Sequence, residues 1–160
     1  MANIQIRLFH KNDSERVLKL ISDIIVDEFK FKLDLNYLDS DLLCIEKHYN
    51  KSDGGCFWVA QETRHEQIVG TIGIRNLKQY ASTCELKRMY VVKEYRRLGI
   101  GENMLDTAVD FAQVIGYSRI VLDSSKYLRA ARALYLKNGF IEIARYNDNQ
   151  RADIFMEKSL

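Results

Sequence analysis

The chain reads as a mixed α/β fold, and three observations carry that reading. About seven short strand-like segments interleave with four helical stretches, and the order is free of repeats, linkers and low-complexity tracts. The strand pattern from Leu86 to Val92 also runs through a glycine turn into the helical pattern from Glu102 to Ile115. At 160 residues the expectation is one domain, 1–160, burying on the order of 70% of the surface its unfolded form exposes.

Ile4 to Phe9 alternates as a strand, and Asp13 or Ser14 can cap a helix whose apolar face is Val17, Leu18, Ile21, Ile24 and Ile25. Phe29 to Asn36 reads as a loop. Asp39 or Ser40 opens a second helix to about Tyr49, and Lys51 to Gly55 is a turn cluster. Strands near Cys56 to Gln61 and Gln67 to Ile74, joined by polar residues 62–66, form a hairpin.

After a loop over 75–82, Cys84 to Val92 forms the next strand, and its apolar phase changes from Leu86 to Met89 and Val91. An inserted residue produces such an even-to-odd switch. The resulting β-bulge would splay the strand from a neighbour and free backbone N–H and C=O groups for a ligand; a strand apolar on both faces is the alternative. The helix from about Gly101 to Ile115 is expected to bury Met104, Leu105, Ala108, Phe111, Ala112 and Ile115, with Gly116 at its C-terminal cap. A short buried strand at Ile120 to Leu122 and a helix from Leu128 to Lys137 follow. Strands Phe140 to Ala144 and Asp153 to Glu157 finish the chain.

Composition removes several functional classes. Hydrophobic residues make up 47% and charged residues 29%, with a net charge of +2; a soluble globular protein has this balance, and no broad basic face is available for nucleic acid. No apolar run approaches the ~18 residues of a membrane span, and the polar N-terminus is no secretory signal, so a cytoplasmic protein with no membrane partner is expected. Cys44, Cys56 and Cys84 form no CxxC pair, and the three histidines share no ligand spacing. No metal is expected.

The turn Arg96-Arg97-Leu98-Gly99-Ile100-Gly101 carries the chemistry. A helix N-terminus presents unpaired amides and partial positive charge, which suit phosphate. The glycines alone could equally serve only a tight turn with positive φ. Met104 stands where a dinucleotide fingerprint needs its third glycine, and no Gly-Lys-Ser/Thr occurs, so two other phosphate loops are excluded.

Three segments in order, Glu85-Leu-Lys-Arg-Met-Tyr-Val91, Arg96-x-x-Gly-x-Gly101 and Ala131-x-x-Leu-Tyr-Leu-Lys-Asn-Gly-Phe140, resemble the GNAT superfamily of acyl-CoA-dependent N-acyltransferases across nearly the full length. Gly70-Thr-Ile-Gly73 fits the family's strand before the cofactor strand. The resemblance implies a mixed, mostly antiparallel sheet of six or seven strands flanked by about four helices, with a bulged and splayed cofactor strand. It also implies acetyl-CoA or a related acyl-CoA as donor. Main-chain groups of Met89, Tyr90 and Val91 would hold the pantetheine arm as an added strand. Amides of Arg97, Leu98, Gly99, Ile100, Gly101 and Glu102 would hold the pyrophosphate, with charge added by Arg96 and Arg97.

An amine with a lysine-like pKa of about 10.4 is only roughly one part in a thousand neutral at pH 7, so direct transfer must dispose of a proton. Glu85 matches a strand position where some family members place a general base; a strand ion pair with Lys87, and a water relay in place of the base, are the alternatives. Tyr135 matches the family's donor of a proton to the departing thiolate, and an N–H of Met89 or Val91 would steady the oxyanion. Lys93 stands where many relatives have proline, and Leu128 replaces a common asparagine.

By the same resemblance, the acceptor is shaped by Phe29 to Asn36 and Tyr146 to Gln150, with Phe29, Phe31, Arg75 and Tyr146 as candidate contacts. Tyr146-Asn-Asp-Asn149 resembles a motif of small-molecule and amino-acid N-acetyltransferases, with Gln150 where proline is frequent. The expected activity is acetyl transfer to a primary amine of a small molecule, amino acids included. Protein N-termini or lysines are the second substrate class, and a CoA-binding sensor without turnover is the competing function. A homodimer is left open.

Overall fold

Seven strands build one sheet in the computed structural model, which describes residues 3–160. They are β1 (Ile4–Leu8), β2 (Cys56–Glu62), β3 (Gln67–Asn76), β4 (Thr83–Val91), β5 (Arg119–Ser124), β6 (Ile141–Glu142) and β7 (Ile154–Ser159), hydrogen-bonded in the order β1-β2-β3-β4-β5-β7-β6. Every neighbouring pair is antiparallel except β4 and β5, which run parallel. The four α-helices are α1 (Ser14–Ser22), α2 (Ile45–His48), α3 (Ile100–Ile115) and α4 (Arg129–Lys137).

Two irregularities of β4 position everything that follows. Thr71 pairs with Tyr90 but Gly73 pairs with Lys87, so Ile72 faces Arg88 and Met89 together. That is the bulge expected from the switch in apolar phase, and its extra residue, Arg88, sits at φ 57. On the other edge β4 pairs with β5 only from Thr83 to Glu85, after which the two strands part. Parallel strands with no further pairing leave main-chain groups from Leu86 onward without a partner strand.

Apolar side chains then divide by strand alternation. Leu86, Ile120 and Leu122 join Met104, Leu105, Ala108 and Ala112 of α3 and Tyr135 of α4 in one core. On the opposite face Val17, Leu20 and Ile21 of α1 pack with Ile45, Phe57, Val59 and Ile68. After α1 the chain widens into a π-helical turn, Asp23–Glu28, which delivers Phe29 against the ring of Tyr90 with centroids 6.3 Å apart.

Three sequence expectations need correction. The helix expected from Asp39 to Tyr49 is a 3-10 turn, Ser40–Leu43, followed by the single turn of α2. Cys44 breaks the helix between them, at φ −152 and ψ 73, and Asp39 and Asp41 turn their carboxylates to Arg88. Ile115, expected in the core, is 45% exposed because it ends α3 beside the left-handed Gly116. The strand expected over Phe140 to Ala144 shortens to β6, since Arg145 donates to the carbonyls of Asn149 and Ala152 and folds the following chain into a loop.

Candidate active site

The parting of β4 and β5 opens into a cleft of about 1060 Å³, walled by the outer half of β4, the glycine turn, the start of α4 and the loop before β7. Its donor half is built from backbone. Val92 N–H donates to Val69 O across the sheet at 2.9 Å, so alternation turns the main chain of Met89 and Val91 to the unpaired edge. The carbonyl of Val91 already accepts from Arg96 Nε at 2.8 Å.

At the glycine turn Arg97 and Gly99 both take left-handed conformations, φ 62 and 78. Asn103 N–H donates to Gly99 O at 3.0 Å, and the amides before it, from Leu98 to Glu102, have no main-chain acceptor among the described residues. A nest of unspent N–H groups at a helix start is an anion site by construction. Arg97 is exposed beside it. Arg96, expected to share this duty, lines the cleft and forms a forked ion pair with Glu28, with the second arm at 2.7 Å. That pair ties the π-helical turn to the cofactor turn.

Tyr135 lines the cleft and is 5% exposed. Among the described residues its O–H donates only to the thioether of Met89, at 3.5 Å, a weak acceptor. Burial pushes its phenol well above the ordinary range, so the hydroxyl is protonated at neutral pH. Burial likewise pushes the Cys84 thiol up to about 12, which leaves it unreactive.

Glu85, Arg75 and Tyr146 come together, but outside the cleft lining. Glu85 is 1% exposed, Arg75 donates through Nε to its Oε2 at 2.7 Å with Nη2 in ion-pair contact at 2.7 Å, and the Tyr146 hydroxyl donates to Oε1 at 2.9 Å. Glu85, the expected base, is thereby held in an ion pair, because the residue lies on the paired stretch of β4 before the strands part. Arg75 and Tyr146, expected to touch acceptor, are the partners of Glu85. Phe29 and Phe31 do line the cleft.

The acceptor half holds charges that sequence reasoning missed. Buried Arg88 reaches from the bulge to Asp41 through two nitrogens, to Asp39 at 2.9 Å and to Leu38 O at 2.9 Å. Arg151 bridges Asp39 at 2.8 and 3.1 Å and Lys32 O at 2.6 Å. Burial pushes the carboxyl of Asp41 up, but the hydrogen bonds and charge of Arg88 overcome this and hold it at about 2. Deeper in the fork, Lys87 faces Asp123 at 3.3 and 3.5 Å, and Asn147 and Asn149 donate to Asp123 Oδ2 at 2.7 and 3.2 Å. The Asn-x-Asn spacing of the motif at 147–149 was the signal available; Tyr146 drew the reading instead.

The Acetyltransferase (GNAT) domain family matches residues 53–142. An acetyltransferase of the GNAT family from Staphylococcus aureus Mu50 has a TM-score of 0.90 to this chain at 31% identity, over 98% of this chain and 99% of that one. The probable N-acetyltransferase camello of Xenopus tropicalis is 36% identical over 104 residues, 65% of this chain and 47% of its own length. The N-acetylaspartate synthetase of Danio rerio is 34% identical over 121 residues, 73% and 42%. The chain thus spans about half the length of the curated relatives it matches. A PaiA N-acetyltransferase from Thermoplasma acidophilum, solved in complex with coenzyme A, shares the fold at a TM-score of 0.71 and 21% identity, over 99% of each chain. No helix among the described residues is long and apolar enough to cross a membrane. A bulged, parted β4, a glycine turn opening α3 and these likenesses lead to one conclusion: the chain belongs to the GNAT acetyltransferase family.

Proposed function

We propose that this chain transfers an acetyl group from acetyl-CoA to the primary amine of a small molecule by direct attack. The observation that carries the reading is one row of unspent backbone donors, from the β4 edge at Met89 and Val91 to the amides at the start of α3. A strand edge suits the amides of a pantetheine arm and a helix start suits its diphosphate. Acetyl-CoA would supply a thioester-activated acetyl group. The relative named N-acetylaspartate synthetase supports a small amine as acceptor.

The residues then divide the work. Met89 N–H donates to the carbonyl oxygen as negative charge develops there. The acceptor ammonium releases one proton to water in the open cleft, its lone pair forms the N–C bond, and the C–S bond breaks. Tyr135 gives its hydroxyl proton to the departing thiolate and regains one from the acetylated nitrogen. Ammonium and thioester thus become amide, thiol and one proton. Glu85 holds Arg75 and Tyr146 and takes no proton in this scheme.

Calorimetry with acetyl-CoA and thiol release with a panel of amines test the proposal. Tyr135→Phe should lower turnover by about 10²- to 10⁴-fold and change acetyl-CoA affinity little. Equal turnover in both proteins would remove Tyr135 from the chemistry. No heat with acetyl-CoA would defeat the whole proposal.

A further inference from the structure

Most charges around the acceptor half are fully spent. Every guanidinium nitrogen of Arg88 donates, Arg151 is held by Asp39 and Lys32, and both oxygens of Asp39 accept from Arg88, Arg151 or the Asp34 amide. Glu28 is taken by Arg96 and Glu102 by Lys137. One pair differs. Among the described residues, Lys87 Nζ, with three donors, has only the two long contacts to Asp123, and Asp123 Oδ1 has only the 3.3 Å contact from Lys87. Their side chains are 14% and 8% exposed, and both line the cleft.

Their place in the sheet is as telling as their spare capacity. The parallel register of β4 and β5 ends at Glu85 opposite Val121, and two residues further on along each strand stand Lys87 and Asp123. They flank the throat of the fork, two residues before Met89. Leu86 and Leu122 point into the α3 core, so alternation turns Lys87 and Asp123 to the acceptor face. Asn147 and Asn149 hold Asp123 by Oδ2 and leave Oδ1 turned to Lys87. A loosely joined, mostly desolvated ion pair with unused donors and acceptors is costly unless something completes it.

We infer that the Lys87–Asp123 pair is the acceptor anchor and that it selects a free α-amino acid, the ammonium received by Asp123 Oδ1 and the carboxylate by Lys87 Nζ. In such a zwitterion the two charged groups sit on one carbon, so a single ligand can enter between the partners and give each an opposite charge. A lysine ε-amine, or the N-terminus of a protein, brings the amine without the adjacent carboxylate. It would leave Lys87 desolvated and short of partners. Phe29, Phe31 and Tyr90 line the same cleft and are left to meet the ligand's side chain.

The inference rests on the acetyl-transfer reading, and the test separates the two. Thiol release is measured for α-amino acids, their carboxamides and simple alkylamines, with binding to the CoA-loaded protein followed by calorimetry. The wild-type protein should prefer an amino acid over its carboxamide by about 10- to 100-fold in kcat/KM, the scale of a lost charged hydrogen bond. Lys87→Met should erase most of that preference by acting at least tenfold more on the amino acid than on the carboxamide. Asp123→Asn should weaken calorimetric binding of both. Thiol release without preference for the carboxylate in the wild-type protein overturns the anchor and leaves acetyl transfer standing. Acetyl-CoA binding with no thiol released by any amine overturns both.

Discussion

The two halves of the cleft handle polarity in opposite ways. On the donor side the groups that face the ligand are backbone: the edge of β4 past Leu86 and the amides before Asn103, left open by strand parting and by a helix start. On the acceptor side polarity is carried by side chains: Arg88, Asp39, Asp41 and Arg151 satisfy one another across 47 to 112 residues of sequence, and Lys87 and Asp123 line the cleft beside them. Backbone donors are the same in every residue but proline, so they suit a ligand common to a whole family. Side-chain pairs are specific to their identities and can be exchanged for others without disturbing the strand frame.

The comparison breaks most readily at Arg88. Its φ of 57 costs a non-glycine residue about 1–2 kcal/mol, and the guanidinium contacts to Asp39, Asp41 and Leu38 O hold it there. Arg88→Met leaves buried carboxylates short of their partner and should cost about 3–5 kcal/mol in urea unfolding. A loss under 1 kcal/mol would mean that the network adds little to the bulge.

Acid probes the same network at smaller amplitude. Asp41 has a folded pKa of about 2 against an ordinary 3.8. Its contribution is therefore fully present above about pH 4 and lost as pH falls through 2, about 2 kcal/mol in all. Unfolding free energies measured down this range should decline accordingly; an Asp41→Asn protein, already destabilised, should lack that share of the slope.

The smallest effects sharpen the donor side. Gly99 has φ +78 and a Cβ there would meet nothing within 4 Å, so Gly99→Ala should cost about 1–2 kcal/mol from backbone strain alone. At Gly101 a Cβ would meet Leu134 and Met89 at 3.5 Å, ordinary contact. Gly101→Ala should leave thermal stability within about 0.5 kcal/mol, and any loss of acetyl-CoA affinity in calorimetry would then report close approach of the ligand. A large drop in stability would show that the turn is tighter than its contacts indicate.

The donor side was legible in the chain for reasons that are local. A phase switch between Leu86 and Met89 marks one inserted residue, and Gly99 with Gly101 before an amphipathic run marks a helix start. The acceptor side was not. Glu85 and Arg75 sit where a base and an acceptor contact were expected, yet the register of β3 on β4 sets them opposite each other, and a buried carboxylate beside a half-buried guanidinium pairs with it first. Arg96 was drawn off in the same way, by a glutamate 68 residues away.

By itself the sequence determined the order of elements, the bulge and the helix start, because strand alternation, helical spacing and glycine conformations are settled by neighbours a few residues apart. Only the tertiary structure decided which charges are spent and which are free. Ion pairing is a matter of distance in space, and folding brings Asp39 to Arg151 and Asp123 to Lys87 through contacts that no local pattern encodes.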